Sequence, residues 1–226
     1  MLKESAACNN KNYLTLKKIS QAQGADLFGV ADIRGIKKDF LLSAKLLESY
    51  DKAVCLGVGL SRGVLEEIEN SPTKLYFHHY RTANAFLDQL AFKVSNYIQK
   101  KGYLALPIPA SQILDWQNQK AHLSHKKLGV LAGLGWIGRN NLLVHKNLGS
   151  QFRMVSILTN MPLKINKPQK ENCGDCRICI TACPSSAIKD TPEKFDHAKC
   201  FEKLKEFQKQ HLVDQYICGV CVKACK

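Results

Sequence analysis

The sequence predicts a mixed α/β domain over residues 1–163 followed by a small cysteine-rich domain over 164–226. Two observations carry this expectation. Apolar patterns of helical and strand period alternate through the first part, and eight of the ten cysteines crowd between Cys173 and Cys225, with only Cys8 and Cys55 lying earlier. Composition agrees, since 226 residues with 45% hydrophobic and 23% charged side chains can bury a core and are unlike a disordered or fibrous chain.

Taken in order, residues 13–23 space Leu14, Leu16 and Ile19 as a helix that stops at Gly24. Residues 25–31 and 52–60 are short apolar runs that read as buried strands. Ser71 and Pro72 open the clearest helix, 73–101, in which Phe86, Leu90, Val94 and Ile98 form one apolar stripe before Gly102 ends it. A strand at 104–108 and a helix near 121–131 follow. Residues 141–145 and 151–160 then read as two strands joined by a turn at Asn147, Leu148 and Gly149. Residues 161–172, mostly polar and carrying Pro162 and Pro168, are the expected linker.

Charge divides at the same place. Residues 1–163 hold 21 Lys and Arg against 11 Asp and Glu, while 164–226 hold 12 against 8, so most of the overall +14 belongs to the first part. Apolar runs such as 53–60 are far too short to span a bilayer, and the N-terminus shows no export signal. A cytoplasmic protein with no membrane association is therefore expected, and in that reducing compartment the cysteines point to metal rather than to disulfides.

Their spacing names the metal. Cys173, Cys176, Cys179 and Cys183 follow C-x2-C-x2-C-x3-C and are succeeded by Pro184. This is the bacterial ferredoxin pattern, in which three close thiolates wrap one cubane and the fourth turns away to ligate another. The second group is Cys200, Cys218, Cys221 and Cys225, opened by an insertion over 201–217 in which Phe201, Leu204 and Phe207 have helical spacing. Crossed ligation assigns Cys173, Cys176, Cys179 and Cys225 to one 4Fe-4S cluster. Cys183, Cys200, Cys218 and Cys221 then hold the second. Two structural zinc sites are the competing reading, because zinc also uses paired CxxC knuckles. Cys55 reads as an inert core thiol and Cys8 as part of a frayed terminus.

Residues 132–140 contain a formal GxGxxG in Gly133, Gly135 and Gly138. A dinucleotide site needs a strand before the glycines and a helix after them, and here the order is reversed. The better reading is a backbone that approaches something flat and large, with Trp136 as a packing surface. Four of the seven histidines fall in two close pairs, His78 with His79 and His122 with His125. Such pairs can share a helix face and bind metal or move protons, or simply make surface hydrogen bonds.

The run 132–140, the turn Leu148-Gly149-Ser150, the strand ending at 158–163, the opening strand 24–31 and the two cysteine groups together resemble the epoxyqueuosine reductase family, whose core reductive dehalogenases share. The resemblance extends from about residue 14 to Cys225. It implies a nitroreductase-like domain over 1–163 that holds cobalamin against a ferredoxin-like domain over 164–226 with two 4Fe-4S clusters. Gly133, Gly135, Trp136, Gly138, Arg139, Gly149 and Ser150 are the implied corrinoid-lining residues. Electrons would come from a low-potential donor such as a ferredoxin or flavodoxin.

Several positions depart from the family pattern. Gln119 stands where the family has a catalytic aspartate, so Asp115, His122 and His125 are the candidate proton donors. The run His78-His79-Tyr80-Arg81 replaces an arginine- and aspartate-rich helix segment. The sequence ends at Lys226, where the family continues into a helical-repeat region that helps bind tRNA, so the nearest likeness is to the short forms. The first functional expectation is a corrinoid-dependent iron-sulfur oxidoreductase acting on an unidentified small molecule or protein. The alternatives are an electron-transfer module with no substrate of its own and a tRNA-modifying epoxyqueuosine reductase.

Overall fold

The computed structural model describes residues 2–115 and 118–226; Met1, Trp116 and Gln117 lie outside the described residues. In chain order the elements are α1 (Leu2–Ala22), β1 (Leu27–Asp32), a 3-10 turn (Lys37–Asp39), α2 (Ala44–Leu47), β2 (Lys52–Gly59), α3 (Arg62–Glu66) and α4 (Lys74–Lys100). They continue with β3 (Ala105–Ile108), α5 (His125–Leu131), β4 (Trp136–Ile137), β5 (Leu143–Val144) and β6 (Phe152–Thr159). Then come α6 (Ile178–Ala182), a second 3-10 turn (Pro192–Lys194), α7 (His197–Lys209) and α8 (Val220–Ala224).

Four strands form one sheet in the order β1-β2-β6-β3. β1 and β2 are antiparallel from Leu27 opposite Gly57 to Asp32 opposite Lys52. β3 and β6 are antiparallel from Ala105 opposite Thr159 to Ile108 opposite Ser156. The two inner strands are continuous apolar runs because both of their faces are covered: Val54, Cys55, Leu56, Val155, Ile157 and Leu158 are all buried. The sequence expectation of a mixed α/β fold agrees with this sheet and its helices.

The chain divides into two compact units, each assembled from three stretches. One comprises Met1–Val58, Asn84–Leu134 and Arg153–Gln169; the other comprises Gly59–Ala83, Gly135–Phe152 and Lys170–Lys226. In the first unit α1 and α5 pack on β1. The buried positions of α1 are Tyr13, Leu16 and Ser20, and Leu14 is exposed because it lies off the face that this three-to-four spacing defines. In α4, Leu87, Leu90, Val94 and Ile98 are buried, each worth about 1.5–3 kcal/mol of transfer free energy. Phe86, expected in that stripe, is instead 38% exposed. It lies over Gly24, whose φ of +100° ends α1.

One expected pairing is corrected. The strand expected at 141–145 does not form a hairpin with 151–160; β5 pairs with β4, Trp136 opposite Val144 and Ile137 opposite Leu143. The turn at 147–149 does form. His145 and Gly149 exchange both backbone hydrogen bonds, at 2.8 and 2.9 Å. It closes on itself and releases β6 to the larger sheet. Among the described residues no helix is long and apolar enough to cross a membrane.

Candidate functional site

Eight cysteines meet in the second unit because two short helices each deliver a pair. α6 contains Cys179 and is capped by Cys183; α8 contains Cys221 and is capped by Cys225; and the two helices pack together. Cys173 and Cys176 sit in the turn before α6, where the Cys176 amide donates to the Cys173 carbonyl at 3.1 Å. Cys218 precedes α8 through Gly219, whose φ of +86° suits glycine and whose missing side chain leaves room for Tyr76 and Ile68. Cys200 lies in α7, between Cys183 and Cys218 in the chain, where Phe201 stacks edge-on to Tyr216 at 5.3 Å. All ten cysteines are free thiols.

These thiols influence one another in two overlapping sets. Burial pushes Cys179 up to about 11, and the nearby Cys225, Cys173 and Cys176 thiols push in the same direction. Burial also raises Cys225, against hydrogen bonds from Ser150, and Cys173 and Cys176 add to the rise. In the other group burial drives Cys200 to about 11 and Cys218 to about 12, with Cys183 acting on both and Cys200 on Cys218. Cys221 lies well above its ordinary value through burial and then through Cys218, Cys200, Cys183 and, from the other set, Cys179. Cys183 moves the other way. Burial would raise it, but the Ser185 hydroxyl 3.4 Å away and the amides of Ser185, Ile188 and Ala187 outweigh that effect. Cys173 and Cys176 thus act on both Cys179 and Cys225, and Cys183 acts on Cys200, Cys218 and Cys221, with Cys179 reaching across to Cys221.

Eight free thiols, of which Cys176 is exposed and the other seven are buried or half-buried, are the number that two four-cysteine clusters would use. Among the described residues no three His, Cys, Asp or Glu side chains converge as ligands of a single ion. Cys176 is exposed, and with Cys225 it borders an open groove of about 520 Å³ that Ile178, Val220 and Ala224 also line.

The glycine run lies against the first group. Gly135, at φ +152°, would bring a Cβ to 1.9 Å from the Val144 carbonyl oxygen. At Gly149, φ +55°, a Cβ would meet the Cys225 carbonyl oxygen at 2.0 Å. A Cβ on Gly138 would lie 2.6 Å from Val144 Cγ2 and 3.5 Å from Cys173 Sγ. The Arg139 guanidinium donates to three carbonyls, Asp190 at 2.7 Å and both Cys176 and Gly174 at 2.8 Å. Asn140 Nδ2 donates to Ser150 Oγ at 3.1 Å, and the Ser150 amide donates to the Cys225 carbonyl at 3.3 Å. Gln151 Nε2 donates to the Lys223 carbonyl at 2.8 Å. The sequence singles out neither Gln151 nor, beyond its place in the 132–140 run, Asn140, since a bond to one distant carbonyl or hydroxyl leaves no partner motif. Trp136 Nε1 is buried and has no hydrogen-bond partner among the described residues.

Gly133 belongs to the first unit, where its carbonyl accepts from Gln169 Nε2 at 2.8 Å and a Cβ would lie 2.6 Å from the Lys167 carbonyl oxygen. The three expected proton donors also lie there, in two different settings. His125 is used inside the unit: Nε2 lies 2.9 Å from the Pro109 carbonyl, Nδ1 lies 2.9 Å from Ser156 Oγ, and Ser156 Oγ lies 3.7 Å from Cys55 Sγ. A carbonyl only accepts, so Nε2 carries the proton, Ser156 donates to Nδ1 and Cys55 donates to Ser156. Burial holds His125 down to about 4, and burial lifts Cys55 to about 12. Asp115 and His122 lie in the loop between β3 and α5. Asp115 accepts from the Asn118 amide at 3.0 Å and from Asn118 Nδ2 at 2.7 Å, and His122 Nδ1 is 3.4 Å from the Leu41 carbonyl. Gln119, in the same loop, adopts φ +53°.

No family model matches the chain. An epoxyqueuosine reductase of Cyclobacterium marinum is 27% identical over 244 residues, covering 95% of this chain and 78% of that protein. The chain is a relative of the epoxyqueuosine reductases. A second such enzyme, from Leadbetterella byssophila, is 29% identical over 161 residues, covering 62% of this chain and 53% of that protein. The chain thus spans about half of that relative's length. Among solved structures, the catabolic reductive dehalogenase NpRdhA aligns with a TM-score of 0.77 at 19% identity, over 96% of this chain and 32% of that one. Epoxyqueuosine reductase from Streptococcus thermophilus aligns with a TM-score of 0.64 at 19% identity, over 94% of this chain and 65% of that one. Both show the fold of the chain.

Proposed function

We propose that the protein is an oxidoreductase of the epoxyqueuosine reductase kind, passing electrons through two 4Fe-4S clusters to a modified tRNA. The observation that carries this reading is the alignment with the Cyclobacterium enzyme over 95% of the chain. It favours the tRNA alternative over the unspecified small-molecule acceptor expected first. One of the solved relatives is bound to a tRNA-Tyr stem loop carrying epoxyqueuosine.

Cys173, Cys176, Cys179 and Cys225 would hold one cluster and Cys183, Cys200, Cys218 and Cys221 the other. Each cluster would carry one electron at low potential. All eight lie beyond residue 163, in the part proposed as ferredoxin-like, and the preceding residues form the proposed nitroreductase-like half. A low-potential ferredoxin or flavodoxin fits as the donor, and the exposed edge at Cys176 is where it would approach.

Cobalamin is the second proposed cofactor. A solved reductive dehalogenase of the same fold is linked to B12-dependent dehalogenation, and the unsatisfied Trp136 Nε1 offers one donor to such a group. A bound corrinoid would supply a strongly reducing metal centre. The proposed lining is Gly133, Gly135, Trp136, Gly138, Arg139, Gly149 and Ser150.

Converting an epoxide to an alkene consumes two electrons and two protons and releases the oxygen as water. Of the three proton-donor candidates, Asp115 and His122 in the β3–α5 loop suit this step, because both ring nitrogens of His125 are already bonded within the unit. Asn118 orients the Asp115 carboxyl through both of its hydrogen bonds. A solved Bacillus subtilis relative is described with a catalytic loop swung out of its active site, and Asp115 and His122 are proposed to act in the place of that loop's catalytic residue.

The test is anaerobic reconstitution with iron and sulfide, then incubation with cobalamin, a low-potential donor and tRNA containing epoxyqueuosine. Nucleoside mass spectrometry should show loss of one oxygen atom. Zinc without sulfide would remove the cluster reading, and an unchanged cobalamin spectrum would remove the corrinoid. Gln119, in place of an aspartate, favours one second reading, an electron-transfer module. On that reading the clusters cycle with a partner protein and no tRNA is converted.

A further inference from the structure

We infer that Arg139 is a positioning residue for the first cluster's ligand loop and raises that cluster's reduction potential relative to the second. The inference rests on the two-cluster reading and adds an ordering of the two centres. Arg139 spends its forked guanidinium on three backbone carbonyls, Gly174 and Cys176 in the loop itself and Asp190 beyond it. Gly174 sits between two ligand positions at φ +50°, a conformation that turns its carbonyl out of the local chain. The loop is tied a second time through Asp190, whose Oδ1 lies 2.6 Å from Arg177 Nη1. The neighbouring Gly138 lies against Cys173, so 138 and 139 together follow the loop from its first cysteine to its second.

The second group has different support. Cys183 receives the Ser185 hydroxyl and the amides of Ser185, Ile188 and Ala187, all neutral donors, and the cation that acts on Cys218, Lys203, is the smallest of that thiol's influences and is paired with the Glu206 carboxylate. Arg139 is a permanent cation whose partners are carbonyl oxygens rather than carboxylates, so its positive charge stays available to the loop. A nearby positive charge favours the more negative, reduced form of a cluster, and cluster potentials respond to local charge and hydrogen bonding. An electron shared between the two clusters should therefore settle on the first.

The experiment compares the reconstituted wild type with Arg139→Gln and Arg139→Lys, reading iron and sulfide content, far-UV circular dichroism and midpoint potentials by paramagnetic resonance. A Cys173→Ala variant assigns the signal of the first cluster. Wild type should hold about eight irons per chain. In Arg139→Gln the first-cluster midpoint falls, or its signal disappears with iron dropping to about four, while the second signal stays. Arg139→Lys restores the charge and recovers part of the effect. Full loading with both midpoints unchanged in Arg139→Gln overturns the inference, as does equal loss of both clusters with no recovery by lysine. A wild type without sulfide-bound iron instead sinks the underlying cluster reading.

Discussion

At the scale of single residues, His125 shows how packing decides what a histidine does. The sequence offers a His-x-x-His pair and nothing to separate its members. The structure gives one of them two partners inside the unit and a neutral ring held at about 4, while the other stays in the loop. The folded ring binds its proton less readily than the ordinary value of 6.5, so protonation favours the unfolded chain. Stability contributed here is complete above pH 6.5 and is lost as the pH falls toward 4, by at most about 3 kcal/mol. Urea unfolding of cluster-free protein across that range should show the decline in wild type and a flatter profile in His125→Asn; parallel profiles would refute it. His125→Ala should also cost about 2–4 kcal/mol near neutral pH, because Ser156 and the Pro109 carbonyl each lose a partner. Cys55, at the end of the same chain of bonds and raised to about 12, should resist iodoacetamide in the folded protein at pH 8 and react once unfolded.

At the scale of elements, the glycine run is where sequence and structure diverge most instructively. Gly135 and Gly149 are demanded by backbone carbonyls less than or about 2 Å from where a Cβ would stand, and both have positive φ. Gly135→Ala and Gly149→Ala should each cost upwards of about 3 kcal/mol, seen as lowered cluster loading and a lowered melting temperature. Gly63→Ala, in α3 where a Cβ would meet only Ser61 Oγ at an ordinary 3.9 Å, should leave both unchanged within about 0.5 kcal/mol. The α4 stripe at Leu90, Val94 and Ile98 was legible because helical period is a local signal. The cysteine spacing, from which the two clusters are proposed, is a local signal of the same kind. The β4–β5 pairing was not, because two-residue strands leave no periodicity. Arg139 was readable only as part of a glycine motif: its partners are carbonyls from 35 to 51 residues away, and a carbonyl is present in every residue type.

At the scale of the whole molecule, the two compact units interleave in sequence, a long-range arrangement that composition could not reveal. Charge, by contrast, was plain: residues 1–163 carry 21 Lys and Arg against 11 Asp and Glu. Two all-cysteine clusters would each add roughly −2 when oxidised, which offsets the 12 against 8 of residues 164–226. The loaded protein would then keep its basic excess almost wholly in the earlier part of the chain. If that excess meets tRNA phosphates, affinity must fall as salt competes for them. Four phosphate contacts on a largely single-stranded loop would weaken binding about fiftyfold between 50 and 200 mM salt. The slope should also be the same for loaded and cluster-free protein, because cluster charge lies with residues 164–226. Fluorescence anisotropy with a labelled tRNA at a series of salt concentrations measures both. A steep slope shared by the two forms supports RNA binding by residues 1–163. A flat profile removes tRNA as the partner, and a slope that steepens when the clusters are lost would move the contact to the cysteine-bearing residues.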